Sequence, residues 1–78
     1  MASASDQIKQ IIHEKLGIEI EKLTDGADFK DNLAVDSLDL IELRMEIEKR
    51  FSVNMPEEIA ENLKTVGSLI EFVNEKKR

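Results

Sequence analysis

Apolar positions along this chain recur mostly with the period of a helix. In "SDQIKQIIHEKLG", Ile8, Ile11, Ile12 and Leu16 fall at i, i+3, i+4 and i+8, one helical stripe. Ser5 or Asp6 can cap its start, and Gly17 suits the left-handed residue after its end. The spacing predicts a helix over about residues 5–16. Residues 17–35 have no clean period. "IEIEKL" alternates like a short strand, but a lone strand cannot satisfy its backbone groups. The segment is expected to be a long loop, turning at "TDGAD" and held down by Ile18, Ile20, Leu23, Phe29 and Leu33.

A second helix is predicted from Asp36 or Ser37 to about Phe51. Leu40, Leu43, Ile47 and Phe51 form one stripe, and Leu38, Ile41 and Met45 an adjoining one. So wide an apolar face predicts that this helix is central. Next comes a short helix, Glu57 to Asn62, with Pro56 as a favoured first residue and two glutamates at the positive end. Thr65 caps the last helix. Val66, Leu69, Ile70 and Val73 are its buried stripe, and Lys76, Lys77 and Arg78 complement its negative end. The expected fold is all-α: a small four-helix bundle of three main helices and one short one, with a long loop between the first two.

At 78 residues the chain is expected to be one domain, 1–78. It has no cysteine, which excludes disulfides and thiolate metal sites. The net charge of −6 argues against sequence-independent binding to nucleic acid. No apolar run reaches the roughly 20 residues of a membrane span, and the start lacks the pattern of a secretory signal. A cytoplasmic protein is expected. The acidity is uneven: residues 36–62 carry eight acids against three bases, while 63–78 carry two acids against four bases.

Little in the chain suggests catalysis of its own. A nucleophilic serine needs a nearby base, and the only histidine, His13, lies off the stripe of the first helix. Asp25, Asp28 and Asp31 lack the pattern of a calcium loop and read as turn formers. No metal site and no enzymatic activity are expected. Ser37 is different. With Asp36 as cap and Asp39 as the carboxylate of a capping-box-like start, Ser37 becomes the first helical residue. Its hydroxyl then lies beside the positive helix pole, a place that tolerates a phosphodiester.

"DSLDLIEL" at the head of an acidic helix, followed by "MPEEIAENLKTVGSLIEFV", resembles the acyl carrier protein family over nearly the whole chain. The resemblance implies that Ser37 receives 4'-phosphopantetheine from coenzyme A, with Asp36 and Leu38 positioning it for a phosphopantetheinyl transferase. It implies a monomeric carrier that moves acyl thioesters between enzymes of fatty-acid or related, polyketide-type biosynthesis. Asp39, Glu42, Glu46, Glu48, Glu57, Glu58 and Glu61 would dock on basic patches of those acyl-transferring and chain-elongating enzymes. Phe29, Leu33, Leu43, Met45, Ile47, Met55, Ala60, Leu63 and Phe72 are candidates to line an acyl pocket, since such side chains repack at modest cost. The chain departs from the housekeeping fatty-acid pattern at Val35, Arg44, Lys49, Arg50 and Ile59, which leaves the partner enzymes open. A peptidyl or aminoacyl carrier, and an acidic helical adaptor without a prosthetic group, are the alternatives.

Overall fold

A computed structural model describes residues 3–76. Four α-helices run in the order α1 (Ala4–Leu16), α2 (Ser37–Phe51), α3 (Glu57–Ala60) and α4 (Val66–Lys76), with a 3-10 turn at Ile20–Lys22. The described residues contain no named strand, only an isolated bridge between Asp28 and Thr65. The expected four-helix architecture is therefore present. Lys77 and Arg78 lie outside the described residues.

Helix α1 starts one residue earlier than the spacing suggests. Ser3 is its cap, accepting the Asp6 N–H at 3.1 Å, so Ser5 and Asp6 lie inside the first turn instead. Gly17 ends the helix at φ 69°, and its N–H donates to the His13 carbonyl. His13 is exposed, and its Nδ1 donates to the Ile18 carbonyl at 2.8 Å, fastening the chain after the helix.

The core differs from expectation at α2. Leu43 and Ile47 are fully buried, but Leu38, Ile41 and Met45 are 67 %, 42 % and 61 % exposed. Only one of the two stripes faces inward. The centre is α1, which packs on both α2 and α4 through Ile8, Ile11 and Ile12. Helix α4 buries Val66, Leu69, Ile70, Phe72 and Val73.

The long loop is pinned to the start of α4. The Phe29 N–H donates to the Lys64 carbonyl, Val66 N–H to Ala27 and Gly67 N–H to Asp25, all within 3.0 Å. Leu23 and Phe29 are buried as expected, whereas Ile20 is 41 % exposed. Gly67 is required here: a Cβ at that position would lie 2.7 Å from the Asp25 carbonyl oxygen. Thr65 and Ser68 cap α4 reciprocally, each side-chain oxygen accepting the other's backbone N–H at 3.1 Å.

Helix α3 is shorter than expected, Glu57–Ala60. Pro56 is its cap in extended conformation, not its first residue. The chain continues as a turn through Asn62, whose N–H bonds to Ile59 in the tighter 3-10 pattern.

Candidate functional site

Ser37 is the exposed first residue of α2. Asp36 precedes it in extended conformation (φ −66°, ψ 155°), and its carbonyl accepts the Leu40 N–H at 2.9 Å. The Asp36 side chain makes no capping bond. The expected capping-box-like start is therefore absent, and the helix begins by backbone geometry alone. The N–H groups of Ser37, Leu38 and Asp39 have no carbonyl four residues back within the helix. They remain available beside the Ser37 hydroxyl, at the positive end of a 15-residue helix.

Ser37 opens onto a cleft of about 510 Å³. The loop residues Phe29 and Lys30 form one side, Leu40, Ile41 and Arg44 of α2 another, and Ala60, Glu61 and Leu63 a third. Ser37, Leu40, Ile41 and Arg44 are spaced i, i+3, i+4, i+7, so one face of α2 runs from the serine along the cleft. Ile41, Arg44 and Glu57 also line a smaller cleft of about 210 Å³, with Met45, Glu48 and Met55.

The nine expected pocket residues divide. Phe29, Ala60 and Leu63 line the larger cleft, and Met45 and Met55 the smaller. Leu33, Leu43, Ile47 and Phe72 line neither: Leu43, Ile47 and Phe72 are buried in the core, and Leu33 packs half-buried against it. Leu40, Ile41 and Arg44 were missed. Their signal in the sequence is the helical spacing counted from Ser37 itself.

The expected docking acids divide too. Glu46 Oε2 accepts from Arg50 Nε at 2.7 Å, and its Oε1 lies 3.6 Å from Lys15 Nζ. The Arg50 hydrogen bond, before any other influence, holds the Glu46 carboxyl below its usual range. Glu48 Oε2 accepts the Met55 N–H at 2.7 Å. Both carboxylates are thus engaged within the fold. Asp39, Glu42, Glu57, Glu58 and Glu61 are exposed and form no ion pair with another described residue.

Asp28 Oδ1 accepts the backbone N–H groups of Asp31 and Lys30, both at 2.9 Å, which lower its carboxyl below the usual range. It is a turn former, as the spacing suggests. Among the described residues no cluster of three or more His, Cys, Asp or Glu side chains is placed to hold a metal ion. No helix of the described residues is long and apolar enough to cross a membrane.

A family model described as a phosphopantetheine attachment site matches residues 6–73. The chain belongs to the phosphopantetheine attachment-site family. Among solved structures, the acyl carrier protein from Enterococcus faecalis is similar at a TM-score of 0.80 and 29 % identity, covering 92 % of this chain and 91 % of that one. The cofactor of the family is covalent 4'-phosphopantetheine, and the α2 start suits it. An exposed hydroxyl, three available amides and an adjoining cleft leave room for a phosphodiester and the flexible arm beyond it.

Proposed function

We propose that this chain is an acyl carrier of the phosphopantetheine attachment-site family, a single carrier domain with Ser37 as the point of attachment. One observation carries this reading: Ser37 heads α2 with its hydroxyl exposed beside available amides and opens directly onto the larger cleft. When bound, the group supplies a thiol on which acyl cargo travels as a thioester, chemistry that a chain without cysteine does not have. Ser37 gives the oxygen of the phosphodiester and loses its proton, while the pyrophosphate bond of coenzyme A breaks and adenosine 3',5'-bisphosphate leaves. Unpartnered amides at the start of α2, with the helix dipole, stabilise the added negative charge. Asp36, whose carboxylate is free of capping duty, and the exposed Leu38 present Ser37 to the transferase.

The carrier is not itself a catalyst in this reading. It works in the cytoplasm as a monomer and meets enzymes of fatty-acid or related acyl assembly through weak contacts on their basic patches. The docking acids are Asp39 and Glu42 of α2 and Glu57, Glu58 and Glu61 around α3. Glu46 and Glu48 are left out because intramolecular partners hold their carboxylates. Fluid cargo lies along Leu40, Ile41, Phe29, Ala60 and Leu63.

Incubation with coenzyme A and a phosphopantetheinyl transferase should add one phosphopantetheine mass to the protein and none to Ser37→Ala. An unchanged mass on the wild type, or an equal gain on both, removes the proposal. An adaptor without an arm would keep its partners after Ser37→Ala.

A further inference from the structure

Arg44 lines both the larger cleft that Ser37 opens onto and the smaller one, and its Nε is shielded from water without a hydrogen-bond partner. The guanidinium has five N–H donors and forms no hydrogen bond or ion pair with another described residue. Glu48, one turn further along α2, is held by the Met55 N–H instead. Leu40 and Ile41 flank Arg44 on the same cleft face with apolar side chains. A shielded donor without an acceptor is unfavourable, and a plain alkyl chain filling the cleft would keep it so.

We infer that Arg44 selects the cargo, favouring acyl chains that bear a neutral oxygen acceptor beyond the thioester, such as 3-oxoacyl groups, over saturated alkyl chains. This rests on the reading of the chain as an acyl carrier loaded at Ser37. The phosphate of the arm is a poor partner for the shielded Nε. Arg44 lies seven residues from Ser37, about 10 Å along the helix, and the phosphate belongs at the exposed helix start, where free amides already receive it. An acceptor for this guanidinium would arrive with cargo that enters the cleft and parts the packing around Nε. A fully charged cargo carboxylate fits less well, because Asp28, Asp31, Glu57 and Glu61 line the same cleft against Lys30, Arg44 and Lys64.

The test loads the wild type through the transferase with phosphopantetheine alone, with octanoyl and with 3-oxooctanoyl cargo. The Nε–H resonance of Arg44 is then compared among the three by NMR, which needs no variant. It is expected to move far more with 3-oxooctanoyl than with octanoyl. Cleavage of each thioester by hydroxylamine is measured alongside. Arg44→Met is expected to speed cleavage of the 3-oxooctanoyl form about tenfold and to leave the octanoyl form unchanged or slower. Arg44→Lys, which keeps a donor and a charge, restores part of the protection. A resonance that moves fully on attachment of the bare arm overturns the assignment to cargo. So does an equal effect of Arg44→Met on both cargoes. Failure to gain the phosphopantetheine mass is seen before any cargo is compared, and it overturns the carrier reading together with this one.

Discussion

Glu48 on α2 and Met55 ahead of α3 are joined by a carboxylate that accepts a backbone N–H at 2.7 Å. The bond spans seven residues and ties the α2–α3 connection to the helix before it. Glu48→Ala should lower stability by about 1–2 kcal/mol, the worth of a hydrogen bond to a charged group in a half-buried setting. Glu48→Gln keeps an acceptor and should lose less. Urea denaturation checks both, and equal stability of all three proteins would rule the tie out.

Glu46 makes stability depend on pH. Its carboxyl lies below the ordinary value of 4.5 because Arg50 donates to it, with Lys15 adding attraction across from α1. A depressed carboxyl stabilises the fold above its unfolded pKa, and that contribution fades as pH falls through the folded one. Wild type should therefore melt above Glu46→Gln near neutrality, and the gap should close as pH drops below 4.5. High salt should also narrow it, since the cluster is partly open to solvent.

Gly67 should not tolerate a side chain. Alanine there would push its Cβ to 2.7 Å from the Asp25 carbonyl, where backbone must shift. Gly67→Ala should cost about 1–3 kcal/mol. It should also broaden the amide signals of Ala27 and Phe29, whose bonds to Val66 and Lys64 depend on the same close approach. A melting temperature within error of the wild type would show that the loop yields freely.

Glu42→Lys should slow association with the phosphopantetheinyl transferase several-fold at low salt and flatten its salt dependence. Lys15→Glu, a reversal of the same charge magnitude on α1, should affect it much less. Stopped-flow rates at two ionic strengths decide between them.

Helix boundaries were legible where apolar spacing met an unambiguous punctuation mark. Gly17 ended α1, and the Asp36–Ser37 pair began α2. The start of α1 was not, because Ser3, Ser5 and Asp6 are all competent caps and only packing chooses among them. Periodicity marked both apolar stripes of α2 but cannot say which faces inward. That depends on where α1 and α4 lie, so the expectation that the wide face makes α2 central fails at the exposed Leu38, Ile41 and Met45. The place of Ser37 as first residue of α2 was legible, but the Asp36 side-chain cap expected to put it there is absent. The cleft was legible only in part, because it is enclosed by residues distant in sequence, from Phe29 to Lys64. The engagement of Glu46 and Glu48 was also hidden, since one needs Lys15 from another helix and the other a loop amide.

The distribution of buried side chains divides the molecule mechanically. Among the described residues, helices α1 and α4 contribute eight of the sixteen buried hydrophobic side chains, whereas α2 contributes two and α3 only Ala60. One side is a stiff keel and the other a compliant flank. Volume added next to Ser37 is therefore expected to displace the four-residue α3 before it disturbs the α1–α4 packing. The Glu48–Met55 bond is then expected to limit how far that short helix yields, and with it the size of guest the cleft accepts.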